Sequence, residues 1–337
     1  MADPAVSRSF FDRVYYSAHF MDVGLWEPFV RKVCRAHGFD SSKVNPGVPG
    51  TYPTFVVQLG AEGALRPSGH VVVKFFGPLF NGEQAFKVER TIEAWLDQQS
   101  LSIASPAILA DGQIEQDWRY LIFEHIPGLS IGQIGDELSR SDWLSVAYQV
   151  GEFMRQLHTL NISQLPVVDQ LIRPTWDGFA SFLSQQREIC LANHRVWDDL
   201  PVHLLDQLET YVLPVEQLID FSSQPHLIHA DLTADHLLGR VVDGGWQSQA
   251  IIDWGDAMTG NLLYELVAIV FDLFKGDKDL LRECLDAYNL PDFYQQEFPR
   301  KALSMVLLHP FPMPAWVHMP HQDIQTLDDL AECLFGI

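Results

Sequence analysis

Two polar stretches, each beside an apolar run, carry the side chains that could do chemistry. The first is LIHADLTADHLL at 227–238, which contains Asp231 and His236, and the second is AIIDWGDA at 250–257, which contains Asp253. Polar groups at this density next to Ile and Leu are costly to bury without partners. The pattern therefore predicts either a metal site or a turn held together by hydrogen bonds.

A phosphoryl-transfer site is one explanation of these two stretches. If strands at 226–229 and 249–253 pair as a hairpin, the loop from Asp231 to His236 lies beside Asp253. One carboxylate could then accept a proton from a substrate hydroxyl, and the other groups could ligate the Mg²⁺ that bridges phosphate oxygens. An Asx turn followed by a capped helix explains the same local pattern equally well.

A lysine inside an apolar strand is the next candidate. In HVVVKFF, strand alternation sends Val72, Lys74 and Phe76 to one face. A half-buried lysine needs an anion, either a carboxylate or a phosphate, whereas an edge-strand lysine would only discourage aggregation. Glu89, on a helix predicted at 84–99, could supply that carboxylate, although a solvated helix glutamate is the simpler alternative.

Composition and charge exclude some classes of function. Of 337 residues, 47% are hydrophobic and 20% charged, which is typical of a globular protein with one large bilobal domain or two domains. The 44 acidic residues outnumber the 22 basic ones and give a formal charge of −22, which argues against nucleic-acid binding. The same field favours a cationic ligand, and plain solubility explains the acidity as well.

Cellular location is predicted from two absences in the sequence. The four cysteines have no CxxC or His-paired spacing, which favours reduced thiols over a zinc site or a disulfide framework. No apolar run reaches the ~18–20 residues that span a bilayer, and the first residues lack a signal-peptide layout. We therefore expect a cytoplasmic protein without a membrane partner, and the oligomeric state is left open.

The order of the predicted elements divides the chain into a small strand-rich part and a larger helical part. Helical patterns occur in the second half of 10–38 and at 142–160, 175–196 and 203–221. Strand patterns occur at 54–60, 70–77 and 118–126.

The motif HADLTADHLL…IIDWGDA resembles the catalytic loop and metal-binding segment of the aminoglycoside phosphotransferase and choline kinase-like family, relatives of protein kinases. The family pattern is His-x-Asp-x-x-x-x-Asn, then a strand and Asp-x-Gly. His229, Asp231 and Asp253 match it, and His236 stands where most members carry Asn. This form is similar to the 2″-aminoglycoside phosphotransferase branch. An imidazole can ligate a divalent ion, although Mg²⁺ prefers oxygen.

The resemblance covers roughly 45–275 and implies the fold. It implies an α+β, bilobal, protein-kinase-like fold, with a small antiparallel-sheet N-lobe carrying a helix and a larger, mainly helical C-lobe. The implied division is an N-terminal helical extension at 1–44, a nucleotide-binding N-lobe at 45–123, a hinge at 124–130 and a C-lobe at 131–337.

The resemblance also implies a small-molecule kinase that transfers the γ-phosphate of ATP or GTP to a hydroxyl. Lys74, held by Glu89, would steady the α- and β-phosphates, and Asp231 would be the catalytic base. Asp253 and His236 would hold Mg²⁺.

Other contacts implied by the resemblance are less direct. Tyr52, Thr54 and Phe55 lie where the family has its phosphate-covering loop, although no GxGxxG is present. The backbone of Glu124 and Ile126 would bind the adenine edge.

Acceptor binding is expected from acidic residues of the helical part, and His229 is expected to hold the loop by hydrogen bonds. The acidic candidates are Asp235, Asp256, Glu265, Glu188 and Asp198.

Several acceptors stay open at this stage. A cationic aminoglycoside antibiotic would suit the acidic residues, and a choline-like, macrolide-like or other small hydroxyl compound is the alternative. A pseudokinase-like binding module is a second alternative. A protein-substrate kinase lacks support because no APE-like sequence follows Asp253.

Overall fold

The structure, a computed structural model, describes residues 8–60, 68–314 and 324–337. The chain forms two units. The first comprises Met1–Ser100, Ala104–Leu129 and Gln249–Asp256, and the second comprises Leu101–Ile103, Ser130–Ser248 and Ala257–Ile337. Within the described ranges, no helix is both long enough and apolar enough to span a membrane.

The first unit is built on a five-stranded antiparallel sheet in the order β1-β2-β3-β5-β4. Its elements, after a 3₁₀ turn at Arg8–Phe11, are α1 Arg13–His19, α2 Val23–Ala36, β1 Ser41–Pro46, β2 Thr54–Leu59, β3 His70–Phe76, α3 Gly82–Leu96, β4 Ile108–Glu115 and β5 Trp118–Glu124. β1 begins inside the range 1–44 that was expected to be a helical extension, because the helical pattern ends at Ala36.

The two faces of this sheet have different partners. On one face, Val73 and Phe75 of β3 pack in a core with Trp26 of α2, whose side chain is 1% exposed. On the other face, Phe76 packs in a second cluster with Ala85 of α3. Because strand residues alternate, Lys74 is sent to the α3 face, as the sequence pattern predicts.

The second unit is mainly helical. Its elements are β6 Leu129–Ser130, α4 Ile131–Ile134, α5 Arg140–His158, α6 Asp177–Trp197, α7 Val202–Leu205, α8 Leu208–Tyr211, α9 Val215–Leu218, β7 His226–Ile228, β8 Leu237–Val242, β9 Gly245–Ile251, β10 Met258–Gly260, α10 Leu262–Ala268, a π-helical turn Ile269–Leu273, α11 Lys278–Tyr288, α12 Asp292–Gln295, α13 Phe298–Leu307 and α14 Leu327–Phe335; the last residues of β9 and the first of β6 belong to the first unit.

The helices of the second unit approach closely where side chains are small. A Cβ added at Gly151 of α5 would lie 2.2 Å from the Cys284 carbonyl oxygen of α11, so only glycine fits there. α5 begins at a capping box in which Ser139 and Asp142 satisfy each other's backbone N–H groups.

Two expectations about this unit are wrong. The helix expected at 203–221 is three single turns, because Pro201 and Pro214 start two of them and lack the N–H that would continue a preceding helix. The strands around 226–229 and 249–253 do not pair as a hairpin. β7 pairs with β10, and β9 follows β8 through the turn Asp243–Gly244, whose two φ angles are positive.

A buried ion pair fixes the end of α6. His194 Nδ1 lies 2.8 Å from Asp199 Oδ1, and His194 Nε2 lies 2.9 Å from the Leu307 carbonyl oxygen. Since both partners only accept, both ring nitrogens must donate, and the imidazole is protonated. Asp199 Oδ2 in turn accepts the backbone N–H of Met313. The pair thereby fixes the segment that follows α13.

We predict that His194→Gln destabilises the protein in a pH-dependent way. Burial alone would lower the pKa of His194, but the hydrogen bonds to Asp199 and its other partners raise it to about 10. A histidine whose pKa is raised in the folded state stabilises the protein. This stabilisation is complete below the unfolded-state pKa of about 6.5 and is lost as the pH rises toward about 10. The difference in free energy of unfolding between wild type and variant, from urea titrations, should therefore shrink across that window. A difference that grows with pH would contradict the charged pair.

Candidate active site

The first unit brings Lys74, Glu89 and Asp253 together. Lys74 Nζ lies 3.0 and 2.7 Å from the two Glu89 carboxylate oxygens and 2.7 Å from Asp253 Oδ1. We call these three residues the lysine cluster. The predicted Lys74–Glu89 contact is thus present, and Asp253 is a second carboxylate on the same ammonium group.

Each member of the lysine cluster comes from a different element. β3 alternation points Lys74 toward α3, where Glu89 lies on the inward face with a side chain that is 2% exposed. Asp253 lies in the left-handed region, with φ of +67°, at the start of a 3₁₀ turn that packs against α3. A Cβ added at Gly255 of this turn would lie 3.4 Å from Glu89 Oε2, which shows that the turn packs directly against the Glu89 side chain. A strained conformation of this kind often marks a functional position.

The charges of the lysine cluster are unequal. Burial would lower the pKa of Lys74, but Asp253 and Glu89 outweigh burial and raise it above its ordinary value. Burial raises the pKa of Glu89, and the Lys74 ammonium opposes that rise. With both carboxylates ionised, one lysine faces two negative charges. Asp253 is the more exposed of the two carboxylates, since its side chain is 25% exposed and that of Glu89 is 2% exposed.

Glu93 is a buried carboxyl group that the sequence reading missed. It lies one helical turn after Glu89, and neither of its carboxylate oxygens has a hydrogen-bond partner within the part of the chain that the structure describes. Burial, followed by the charge of Glu89, raises the pKa of Glu93 well above its ordinary value. Both effects favour the protonated form of Glu93. Its i, i+4 spacing from Glu89 was the available signal.

The side chains of the residues expected in the phosphate-covering loop make contacts within the first unit. Tyr52 donates its hydroxyl to the Phe80 carbonyl oxygen at 2.6 Å and packs 5.6 Å from Lys74 Nζ. Thr54 donates its hydroxyl to the Tyr52 carbonyl oxygen at 3.0 Å. Phe55 is fully buried because it faces the α2 side of β2, so its side chain cannot contact a nucleotide.

The segment between β1 and β2, which contains Gly50 and which we call the Gly50 loop, lies just before those residues. A Cβ added at Gly50 would lie 3.8 Å from Asp253 Oδ2, which places the Gly50 backbone beside the lysine cluster. Tyr16 of α1 donates its hydroxyl to the carbonyl oxygen of Thr51 at 2.7 Å and so anchors this loop. The two glycines of NPGVPG, at 47 and 50, were the sequence signal.

The expected hinge is only partly available. The backbone N–H of Glu124 donates to the Ala107 carbonyl oxygen at 2.9 Å, so Glu124 can offer a ligand its carbonyl oxygen but no donor. Ile126, two residues beyond the end of β5, is half-buried.

The second unit holds Asp231 in a closely tied loop, residues 229–236, which we call the Asp231 loop. Ala230, in the left-handed region with φ of +67°, donates its N–H to Glu265 Oε2 at 2.8 Å. Ala234 donates its N–H to Asp272 Oδ1 at 2.7 Å. These two carboxylates hold the loop backbone while the Asp231 side chain remains 43% exposed.

The two histidines of the Asp231 loop have assigned tautomers. His229 is fully buried, and its Nδ1 accepts the N–H of Asp231 at 3.3 Å, so its proton is on Nε2. His236 Nδ1 lies 2.6 Å from the Asp231 carbonyl oxygen and must donate to it, which leaves the lone pair on Nε2. A histidine whose Nδ1–H is fixed by a carbonyl is the usual arrangement in metal ligands.

The acidic residues expected to bind the acceptor lie in different surroundings. Glu265 is fully buried against the Asp231 loop, so it positions the loop and cannot meet a substrate. Asp235 accepts the Ser130 hydroxyl at 3.1 Å. Asp256 is exposed on its 3₁₀ turn, and Glu188 and Asp198 are exposed in and just after α6. Asp272, which does support the loop, had no local sequence signal.

The family of the chain follows from comparison with known proteins. Residues 53–299 match the model of the family described as "APH: Phosphotransferase enzyme family". This chain belongs to the APH phosphotransferase family. The predicted family is thereby confirmed.

Solved structures of APH enzymes share the fold. The GDP and kanamycin complex of APH(2")-IIia has a TM-score of 0.64 at 18% identity and covers 84% of this chain and 89% of its own. The streptomycin–ATP complex of APH(2")-IIa has a TM-score of 0.55 at 17% identity and covers 93% of this chain and 98% of its own. Macrolide 2'-phosphotransferase MphH of Brachybacterium faecium has a TM-score of 0.55 at 15% identity and covers 84% of this chain and 97% of its own. The predicted α+β kinase-like fold is confirmed.

A curated relative is much longer than this chain. Lysine-specific demethylase JMJ21 of Arabidopsis thaliana is 26% identical over 205 residues, which cover 52% of this chain. The match spans only 22% of the relative's length.

We predict that Lys74→Met destabilises the protein by about 3–5 kcal/mol, because it leaves the buried Glu89 carboxylate without its counter-ion. The loss should be smaller near pH 5 than near pH 8, since a protonated Glu89 needs no counter-ion and its pKa is already raised by burial. Urea titrations at the two pH values measure both effects.

Two further variants make this test specific. Lys74→Met combined with Glu89→Gln should recover part of the loss, and Lys43→Met, at an exposed lysine of β1, should change stability by less than about 0.5 kcal/mol. A double variant no more stable than Lys74→Met alone would refute the proposed coupling.

Proposed function

We propose that this APH-family chain transfers the γ-phosphate of ATP or GTP to a hydroxyl group of a small molecule. The observation that carries the proposal is the lysine cluster, in which Glu89 holds Lys74 in place and Asp253 is a second, partly exposed carboxylate on the same ammonium group. A fixed ammonium beside a partly exposed carboxylate suits a phosphate chain with its magnesium ion.

The first unit supplies the nucleotide contacts in this proposal. Lys74 carries a permanent positive charge for the α- and β-phosphates. The Gly50 loop offers backbone close to Asp253, where a side chain would obstruct a phosphate. The carbonyl oxygen of Glu124 and the backbone of Ile126 offer a purine edge an acceptor and a donor.

Asp253 and His236 are the proposed ligands of Mg²⁺. No group of three or more His, Cys, Asp or Glu able to hold a metal occurs among residues 8–60, 68–314 and 324–337. This suits Mg²⁺, which commonly takes one or two protein ligands and completes its shell with phosphate oxygens and water. The Nε2 lone pair of His236 fits a divalent ion, although less well than oxygen would. When bound, the ion neutralises charge on the phosphate oxygens.

Asp231 is the proposed general base. Its carboxylate is half-exposed while its backbone is fixed by neighbouring hydrogen bonds, so it can orient an incoming hydroxyl without moving the loop. As the hydroxyl oxygen attacks the γ-phosphorus, its proton passes to the Asp231 carboxylate, and the nucleoside diphosphate leaves. Glu265 acts as a positioning residue for this loop through Ala230.

The acceptor is a small hydroxyl compound. The names of the solved relatives include aminoglycosides and a macrolide, and at their level of identity they bear on the fold alone. An aminoglycoside is one acceptor class and would carry a role in antibiotic resistance with it, whereas another hydroxylated metabolite would not. A cytoplasmic location and the absence of nucleic-acid partners stay predictions from the sequence.

We predict that Mg²⁺ and ATP together raise the melting temperature of the wild type, and that Asp253→Ala abolishes the Mg²⁺-dependent part of this shift. Asp231→Asn should keep the shift but lower phosphoryl transfer by about 10²–10⁴-fold, because general-base catalysis contributes that much. Differential scanning fluorimetry and ADP release with an acceptor panel measure the two effects. The control is Asp206→Asn, at an exposed aspartate after α7.

The outcomes separate the rival functions. A Mg²⁺-dependent shift without turnover for any acceptor would support the pseudokinase-like alternative. An equal shift with and without Mg²⁺, unchanged in Asp253→Ala, would refute the assigned metal ligand.

We also predict that Tyr16→Phe raises the KM for ATP about threefold to tenfold with little change in kcat. The variant removes the hydrogen bond to Thr51 that anchors the Gly50 loop, and such a bond contributes about 1 kcal/mol. Initial-rate kinetics against ATP concentration measure it. An unchanged KM would show that α1 does not order the loop.

A further inference from the structure

The second unit contains a cavity of about 340 Å³ with Asp231 in its wall. This volume lies in the range of small-molecule sites, which is about 300–1,000 Å³. The cavity is bordered by the Asp231 loop, by the segment from Val267 to Asp272 and by the segment that follows Val306. A molecule bound there would therefore be next to the proposed general base.

The wall of the cavity is mainly apolar. Eight of its twelve lining residues have apolar side chains, among them Val267, Phe271 and Val306. Phe311, also in the wall, is 68% exposed, which is unusual for a phenylalanine. Apolar walls bind by removing apolar ligand surface from water and offer nothing to an ammonium group.

The charged groups of this wall are few. Asp231 and Asp272 are its only carboxylates among the described residues, and Asp272 already uses one oxygen for the Ala234 N–H. His309 is neutral near pH 7, because burial lowers its pKa to about 4. Glu265 and Asp235 are absent from the wall. A ligand with several ammonium groups would therefore be desolvated here without matching carboxylates.

The apolar wall is held in place by the His194–Asp199 pair. His194 binds the carbonyl oxygen of Leu307 and Asp199 binds the N–H of Met313, so the stretch from Leu307 to Met313 is anchored at these two residues. The wall is thus a fixed feature of the second unit, and its chemistry can select a ligand.

We propose that this cavity selects an acceptor with one reactive hydroxyl on an apolar body, carrying at most one positive charge, and that it disfavours polycations. The proposal rests on the proposed function, since it assigns the acceptor of the same reaction. Val267, Phe271 and Val306 are the specificity-determining residues.

The test is a binding series in which only the apolar length changes. Benzyl alcohol, phenethyl alcohol and phenylbutanol are titrated into wild-type protein with Mg²⁺ and a non-hydrolysable ATP analogue, and binding is followed by saturation-transfer NMR. Affinity should rise about fourfold per added methylene, as expected for burial of a CH₂ group. Kanamycin, a polycation with many hydroxyl groups, should bind more weakly than phenylbutanol. A flat series, or tighter binding of kanamycin, would overturn the proposal.

Isosteric variants locate the binding. Val267→Thr and Val306→Thr should each weaken phenylbutanol binding about threefold to tenfold, because a buried methyl group is replaced by a hydroxyl group. Val196→Thr, at a valine of α6 that is 83% exposed, should leave it unchanged. An equal effect of all three variants would show that the alcohols bind elsewhere and would overturn the proposal.

The melting shift with Mg²⁺ and ATP keeps the two hypotheses apart. If that shift is present and the alcohol series is flat, the apolar acceptor is wrong and phosphotransfer stands. If the shift is absent and the series keeps its slope and its response to the variants, the apolar cavity stands and the nucleotide assignment fails. The same shift, measured in the threonine variants, shows whether they are folded.

Discussion

The buried ammonium group of Lys74 is the constraint on which the first unit depends. A lysine that is 5% exposed needs a carboxylate, and Glu89 satisfies it from α3. The contact depends on the strand alternation that points Lys74 toward α3 and on the α3 register that brings Glu89 to it. Asp253 adds a second carboxylate to the same ammonium group, and its side chain is the more exposed of the two.

The second unit solves a different problem, since it must present one carboxylate to solvent on an immobile loop. Buried or peripheral acids, Glu265 and Asp272, take the backbone N–H groups of the Asp231 loop, and the histidines fix the backbone around Asp231 itself. The acidic composition of the chain is therefore partly structural. The adjoining cavity has few carboxylates among the described residues, and the proposed apolar acceptor follows from this wall and not from the net charge.

The parts of the fold and of the candidate site that depend on short stretches of the chain could be predicted from the sequence. The alternation around Lys74, the long α5 and the motif residues Asp231 and Asp253 are set by short-range patterns and family resemblance. The pairing of β7 with β10, the burial of Phe55 and the role of Glu265 depend on contacts between distant segments, for which periodicity gives no information. The cavity beside Asp231 joins three such segments, so no motif could have indicated it.

The affinity of the protein for Mn²⁺, a spectroscopic substitute for Mg²⁺, tests the role of Asp253 most directly. It is measured by electron paramagnetic resonance with and without a non-hydrolysable ATP analogue. If Asp253 holds the ion together with phosphate oxygens, the analogue should tighten Mn²⁺ binding by at least about tenfold in the wild type, and Asp253→Asn should remove that gain. Mn²⁺ binding that is indifferent to nucleotide, or a gain that survives in Asp253→Asn, would contradict it.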